Sequence, residues 1–305
     1  MDAMETKLFR KLDDDEKNDE FIAVESRTFL QSVWHDFTAN KRAVAGAIIL
    51  IIVVLMAIFG PMMCKYSYAE QNMSLRNASP SMDHWFGTDR MGRDIFVRIL
   101  FGARISLAVG CLAAVINLIV GTIYGGIAGY VGGKVDMVMM RVVDIIYSVP
   151  AMLYIVLIML IFGASVVSIM LGISITCWID MARIVRQQVK SLKEQEFTMA
   201  AFVLGASPSR ILIKHLLINT MGQIIVTVTL MVPQAIFTEA WLSFLGVGIS
   251  APMASWGTLA QDARQLIMTY PMQTVYPMIA ICITIFSFNF VGEGLEKALD
   301  PKRKR

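Results

Sequence analysis

The chain has 305 residues, of which 56% are hydrophobic and 17% charged, and its mean hydropathy is +0.61. This composition exceeds what a soluble domain needs to fill its core and predicts an integral membrane protein. The formal net charge of +3 is small and the basic residues are scattered, which excludes a nucleic-acid-binding surface. The four cysteines and three histidines never fall at metal-binding spacings, so neither a zinc site nor a disulfide framework is predicted.

Six largely uncharged stretches are long enough to predict membrane-spanning helices, each of which needs about 20 apolar residues. The stretch 145–179 holds 35 uncharged residues. As one helix it would measure about 52 Å against a hydrocarbon core of about 30 Å, so it must fold back, and Gly163 is the natural break. The sequence therefore predicts an all-α polytopic helix bundle. The predicted spans are 43–64, 105–133, 142–162, 165–182, 216–248 and 276–292.

The distribution of basic residues predicts the orientation of the bundle. If the N-terminus is cytoplasmic, 20 Lys and Arg residues lie on the inner side and 7 on the outer side, which favours both termini inside. The first apolar run begins at residue 43 behind an acidic leader, so no cleavable signal peptide is predicted. We expect a cytoplasmic tail and interfacial helix over 1–42, a transmembrane domain over 43–292 and a basic cytoplasmic tail over 293–305.

Two parts of the N-terminal region differ in pattern. Residues 1–28 carry nine acidic side chains and little apolar periodicity, which predicts a mobile tail. The stretch 29–40 is amphipathic and places Phe29, Trp34 and Phe37 just before the first span, which is typical of a helix that lies in the membrane interface.

The segment 181–219 is the longest polar insertion on the predicted inner side. Apolar residues such as Val185 and Val189 recur at helical spacing, which predicts an amphipathic helix ending at Gly205. Ser207 can cap a second helix that begins at Pro208. The small residues near this turn would let a partner's backbone approach closely. The alternative interpretation is an ordinary loop packed on its own bundle.

Two further sets of polar residues are candidate functional sites. Glu239 lies inside the fifth predicted span, where a buried acid indicates either contact with a substrate or gate, or a packing hydrogen bond. In the outer segment 65–104, acids and arginines four residues apart could pair on one short helix capped by Thr88. These pairs could serve local folding or contact with a partner. Alternatively, one of the arginines could bind a carboxylate group of the substrate. The outer-face candidates are Asp89, Arg90, Gly92, Arg93 and Asp94.

Several motifs resemble the permease subunits of bacterial ABC importers. The run 199–207 resembles the EAA loop, which docks into a groove on the ATPase subunit, although Met199 replaces its Glu, His215 its Ile and Ile218 its Pro. Other matches occur in the expected order along almost the whole chain, and they resemble the dipeptide, oligopeptide and nickel branch and its C-type subunit. These matching stretches are 86–94, 102–107, 144–150, 238–248, 255–257 and 292–301.

The resemblance implies a type I permease fold in the bacterial cytoplasmic membrane. It implies four partners, namely a homologous permease, two ABC ATPase subunits and an extracytoplasmic solute-binding protein, besides membrane lipid. The chain has no Walker A pattern, so ATP and Mg²⁺ are expected on the ATPase subunits, and the chain itself is expected to be no enzyme and to bind no cofactor or metal. The ATPase-coupling residues that the resemblance implies are Met199, Ala200, Ala201, Gly205, Ala206, Ser207 and Arg210.

The function predicted on these grounds is half of a translocation path for peptides or similar small solutes. One alternative is a secondary transporter driven by ions, which would need ionisable residues near the midplane or broken helices in matched halves. Apart from Glu239, Pro150 and Pro233, the sequence offers neither. A second alternative is a membrane scaffold without a transport role.

Overall fold

The computed structural model describes residues 28–249 and 253–299. All but the last residue of the acidic tail predicted over 1–28, and the end of the basic tail predicted over 293–305, lie outside these residues. Within them the chain is mostly helical, with a largely irregular segment over 64–94 that contains one isolated β-bridge between Thr88 and Asp94. The α-helices of the described residues are α1 (Phe29–Ala39), α2 (Lys41–Met63), α3 (Ile95–Ile116), α4 (Thr122–Val131), α5 (Gly133–Ser148), α6 (Ala151–Phe162), α7 (Val166–Thr176), α8 (Trp178–Lys193), α9 (Glu196–Val203), α10 (Pro208–Arg210), α11 (Ile218–Phe244), α12 (Trp256–Ala263) and α13 (Pro271–Leu299).

The predicted bundle is confirmed in outline. Helices α5 and α6 bend by 75° at a short break and give a sixth crossing if they count as one span. Short π-helical stretches at Asn117–Gly121 and Ile211–Leu217 join α3 to α4 and α10 to α11. Five further helical units of the described residues are long and apolar enough to cross a membrane, namely Lys41–Met63, Ile95–Val131, Val166–Lys193, Pro208–Phe244 and Pro271–Leu299.

The second span begins earlier than predicted, at Ile95 instead of 105. The Asp94 side chain accepts a hydrogen bond from the Val97 amide at 2.9 Å and starts the helix there. Gly125 lies within α4, and a Cβ at this position would overlap the carbonyl oxygen of Ala182 in α8. The glycine therefore lets α4 and α8 pack closely.

The third span is broken where Val149 and Pro150 separate α5 from α6. Proline has no amide hydrogen to donate, and it favours an extended conformation at the residue before it. Val149 accordingly has φ −93° and ψ 125°. The bend therefore follows from the local sequence, although the prediction treated 142–162 as one helix.

The polar segment also differs from the prediction. The expected single helix ending at Gly205 is interrupted at 194–195, so α8 and α9 are separate helices. The second helix begins at Pro208 as predicted, but the Ser207 side chain makes no cap hydrogen bond. This helix continues through the π-helical stretch into α11 and ends at Phe244, four residues before the predicted end.

The predicted interfacial helix is present as α1. Thr28 forms a capping box with Gln31, in which each side chain bonds the other residue's backbone amide. Leu30 and Trp34 are 76% and 70% exposed. Phe37 packs near Gly294 of α13, so the helix lies along the end of the bundle with an apolar side uncovered.

Candidate functional site

Helix α9 presents an apolar surface to solvent. Phe202, Val203 and Leu204 are 72%, 83% and 86% exposed. Exposed apolar side chains grouped on one short segment indicate a protein interaction site. We call it the α9 surface, and its members are Phe197, Met199, Phe202, Val203 and Leu204.

The opposite side of α9 packs on the bundle. Ala201 is 8% exposed and belongs to a core cluster with Val185 and Val189 of α8 and Ile211 of the stretch leading into α11. Ala200 is exposed. Of the two alanines predicted to permit close approach of a partner, Ala200 is therefore the accessible one, and Ala201 connects α9 to α8 and α11.

The turn after α9 has a defined geometry. Gly205 has φ +80°, a conformation that side chains with a Cβ resist, and its amide donates to the Phe202 carbonyl at 3.0 Å. The Ala206 amide donates to the Ala201 carbonyl at 3.1 Å, which completes a Schellman motif. Ser207 and Arg210 are exposed beyond the turn. The helix end is thus fixed by backbone bonds that depend on glycine.

The outer-face residues form a buried ion cluster. Asp89 accepts from Arg93 Nε at 2.7 Å and from Arg98 Nη1. Asp262 of α12 contacts Arg93 at 3.1 Å and Arg98 at 3.2 Å, and the partly exposed Arg90 lies 3.5 Å away from it. The cluster therefore connects the segment before α3 to α12. Sequence reasoning did not identify two of its members, Arg98 and Asp262.

The expected short helix over these residues does not form. Thr88 and Asp94 bridge across a turn that includes Gly92 at φ +69°. Asp94 does not pair with Arg90, since its carboxylate contacts His84 Nδ1 at 2.7 Å and caps α3. Thr88 donates to the Leu75 carbonyl instead of capping a helix. Because Arg93 is buried and already paired, the geometry favours local folding over a grip on a substrate carboxylate.

The cluster should stabilise the fold. Removing one partner of a buried ion pair leaves an uncompensated charge and typically costs about 3–5 kcal/mol. Asp262→Asn should therefore lower the melting temperature of the purified protein clearly. Asp83→Asn is the control, because its pair with Lys65 is exposed at 3.6 Å and should contribute almost nothing. Equal melting temperatures for both variants would show that the cluster is energetically neutral.

The same cluster predicts a dependence of stability on pH. Burial alone raises the pKa of Asp89, but Arg98, Arg93 and a backbone hydrogen bond outweigh it and hold that pKa below its usual range. A group whose pKa is lowered by folding stabilises the protein above its unfolded value of about 3.9 and loses this contribution as pH falls. Thermal melts from pH 7 downward should show the difference between wild type and Asp89→Asn shrinking below about pH 4.

Glu239 is fully buried at the contact between α11 and α3. Its carboxylate accepts from the Ser106 hydroxyl at 2.9 Å and from the Ser243 hydroxyl at 2.8 Å. Ser106 Oγ in turn accepts from the Trp256 amide at 3.4 Å, which connects α12 to the same group. Glu239 is therefore held by one hydrogen bond from α3 and one within α11, and it is not among the residues that line the cavity described next.

A cavity of about 450 Å³ opens at the break between α5 and α6. Its walls also come from the α3 end, from α7 and α8, and from α11. Asn117 and Gln234 line it, and the α5–α6 break contributes Tyr147, Ser148 and Pro150. Sequence reasoning did not select Asn117 or Gln234, although lone amides within apolar runs are a recognisable signal of a functional position in a membrane.

Comparisons with known proteins agree with this arrangement. Residues 121–305 match the family described as binding-protein-dependent transport system inner membrane component, and residues 28–80 match the N-terminal transmembrane domain of oligopeptide transport permease C. The oligopeptide transport system permease protein OppC of Bacillus subtilis is 50% identical over 278 residues, or 90% of this chain and 91% of that protein.

Two other relatives show the range of similar proteins. The dipeptide transport system permease protein DppC of Bacillus subtilis is 45% identical over 293 residues, or 95% of this chain and 92% of that protein. The glutathione transport system permease protein GsiD of Shigella dysenteriae is 36% identical over 280 residues, or 91% and 92% of the two chains.

The helices and these matches together define a multi-pass protein of the bacterial inner membrane that serves an import system. Within that class, the chain belongs to the family of binding-protein-dependent transport system inner membrane components, in the branch that contains the OppC and DppC permeases. The resemblance inferred from the sequence motifs is thereby confirmed.

Proposed function

We propose that this chain forms half of the translocation path of an ATP-driven peptide importer and couples that path to ATPase subunits. The observation that carries the proposal is α9, which has an uncovered apolar surface on one side and Ala201 packed into the bundle on the other. Such a helix can bind a partner and transmit its movement. The names of the relatives support peptides as the substrate class.

The route of coupling follows from the core cluster around Ala201. Its members on α8 and in the π-helical stretch before α11 move with α9, and α8 and α11 also line the cavity through Ile179, Asp180 and Gln234. Ile211 and Gln234 lie on the same helical unit, about 35 Å apart along its axis, so this unit extends from α9 to the cavity. ATP-driven closure of the partner subunits would shift α9 and thereby change the width of the cavity.

The partners follow the family arrangement. A homologous permease supplies the other half of the path, two ABC ATPases bind ATP and Mg²⁺ and supply the hydrolysis, and a solute-binding protein delivers peptide to the outer face. Only 17% of the most apolar 18-residue stretch of α2 is buried. Helix α2 therefore faces lipid or the second permease. The role of this chain is mechanical, and no group in its cavity is assigned to catalysis.

The proposed orientation places both termini and α9 in the cytoplasm. Single cysteines at Lys190 and at Met82, which is 96% exposed, in a chain with its native cysteines replaced by serine, test it. An impermeant thiol reagent added outside intact cells should label the cysteine at 82 and not that at 190. The reverse pattern would refute the topology.

Reconstitution tests the proposed function. The chain should co-purify with ATPase subunits encoded beside it, and the assembled complex in vesicles should accumulate labelled dipeptide or oligopeptide when ATP and loaded binding protein are present. Omission of ATP should stop uptake. Uptake that follows a proton or sodium gradient without ATP would favour a secondary transporter, and a complex without ATPase subunits would favour a scaffold.

A further inference from the structure

Helix α5 has a conformational break at each end. Gly132 and Gly133 at its start have φ +72° and +57°, and a Cβ at either position would meet no atom within 4 Å. Glycine in open space can change its backbone angles at little cost. At the other end, Val149 and Pro150 form the 75° bend, where proline cannot supply a helical hydrogen bond. Helix α5 can therefore turn as one rod between two hinges.

Helix α5 is also loosely packed on the bundle. Only Asp136 and Val143 among its 16 residues are buried. A groove of about 660 Å³ lies between α5 and α8. Helices α4 and α8, in contrast, approach closely, because a Cβ at Gly129 of α4 would lie 2.6 Å from the Arg186 carbonyl oxygen. Helices α4 and α8 thus form one packed unit, and the groove leaves space for α5 to move beside it.

Two ion pairs bridge the groove between α5 and α8. Arg186 donates from Nε and Nη2 to the two carboxylate oxygens of Asp136, the second bond at 2.6 Å, and the Asp136 side chain is 8% exposed. Arg183 contacts Asp144 at 3.0 Å, but both of these side chains are partly exposed. A two-bond pair with a buried carboxylate fixes orientation as well as distance, whereas an exposed single contact contributes little. The pair of Arg186 with Asp136 is therefore the main polar link between α5 and α8.

The far end of α5 forms part of the cavity wall. Tyr147 and Ser148 line the cavity, as do Val149 and Pro150 of the bend. Ser148 lies about 18 Å along the helix from Asp136, so a turn of α5 at its start displaces this wall. Helix α8 in turn shares a core cluster with α9. A continuous series of contacts therefore runs from α9 through α8 and the ion pair to α5 and the cavity.

We propose that Arg186 is a positioning residue for transport, which through Asp136 makes α5 follow α8 and so sets the width of the cavity at the Val149–Pro150 bend. The inference rests on the proposed function and adds a route from α9 to the cavity besides the one through α11. When α9 shifts, α8 carries Arg186 with it, and the two-bond pair turns α5 on its glycine hinge. Without the pair, α8 still moves but this wall of the cavity does not follow. ATP hydrolysis then continues with less transport.

The amount of peptide transported per ATP hydrolysed tests this role in the assembled complex. Arg186→Gln should lower that ratio about tenfold, the size expected for loss of a charged hydrogen-bonded pair, while ATPase activity stays near wild type. Arg186→Lys should fall between the two, because it keeps the charge but not the two-bond geometry. Lys190→Gln is the matched control, since Lys190 lines the same groove and forms no ion pair within the described part of the chain. A wild-type ratio in Arg186→Gln overturns the inference, also when transport and hydrolysis fall together, because the pair then serves stability alone.

A distance measurement reads the position of α5 without transport. Nitroxide labels would be attached to cysteines at Met137 of α5 and Ser191 of α8, both exposed, in the purified full chain with its native cysteines replaced by serine. The distribution of distances between the labels should be narrow with Arg186 present, broader in Arg186→Gln and unchanged in Lys190→Gln. Equal widths with and without Arg186 overturn the inference even if the transport ratio falls. Should the wild-type complex move no peptide at all, the proposed function fails, and the widths still show whether Arg186 holds α5 to α8.

Discussion

Replacing Phe202 by glutamate should reduce ATP-driven uptake by about a hundredfold or more, because it places a charge in the centre of the α9 surface. Phe202 is 72% exposed and contacts no described core cluster, so the chain should still fold and insert. Interface centres are apolar, and losing an aromatic anchor there costs 2 kcal/mol or more, to which burial of an unpaired carboxylate is added. Co-purification of the ATPase subunits and peptide uptake would both be measured.

The chain offers matched controls for this experiment. Met268→Glu introduces the same charge at a residue that is 95% exposed near the start of α13, on the predicted outer face, and should leave ATPase binding intact. Gly205→Val should weaken docking through the backbone, since φ +80° is strained for a branched residue although open space surrounds the position. If Phe202→Glu and Gly205→Val both keep their ATPase partners and transport normally, α9 is not the coupling element.

We expect a substitution of the buried Ala201 to change packing, whereas substitutions of its exposed neighbours should change docking. A tryptophan at this 8% exposed position would push α9 away from Val185 and Val189, and overpacking of this kind costs about 1–3 kcal/mol or more. Ala201→Trp should therefore lower the thermal stability of the isolated chain, while Ala200→Trp should act mainly on ATPase binding. Comparison of the two variants separates packing from docking.

The sequence predicts the bundle because membrane spans depend on composition. A run of about 20 apolar residues has few alternatives in a bilayer, so the existence of each span could be derived from counting. The residues at which the spans begin and end could not be derived in this way. Whether α3 begins at Ile95 or at 105 depends on the Asp94 cap and on Arg98, whose buried charge is compensated by Asp89 and Asp262.

Contacts between distant residues account for the parts of the outer-face cluster that the sequence did not predict. Asp262 lies 164 positions beyond Arg98, and no local pattern relates the two. The spacing of Asp89 and Arg93 correctly suggested one pair of the cluster but wrongly suggested a helix. Likewise, the motif resemblance indicated the segment 199–207 but not the exposed Phe202, Val203 and Leu204, and the burial of Ala201 depends on how α8 and α11 pack.

Replacing Glu239 by alanine should have the second largest effect, because it removes the acceptor of two buried hydroxyl groups. Ser106 and Ser243 would each lose their bond to the carboxylate, at a cost of about 1–3 kcal/mol for each buried group left unsatisfied. Loss of the Ser106 bond also loosens the contact with the Trp256 amide. We expect a lower yield of assembled complex and a lower melting temperature.

Glu239→Gln separates the charge from the packing. The amide can accept a hydrogen bond from one hydroxyl and donate to the other, so assembly should persist, while the weaker uncharged bond between Ser106 of α3 and residue 239 of α11 should lower uptake by about tenfold. Both helical units line the cavity, which is why their contact bears on transport. Thr229→Val is the control, since that hydroxyl bonds only its own helix at the Ile225 carbonyl. Wild-type uptake and peptide-stimulated ATPase activity in Glu239→Gln would leave Glu239 with a packing role alone.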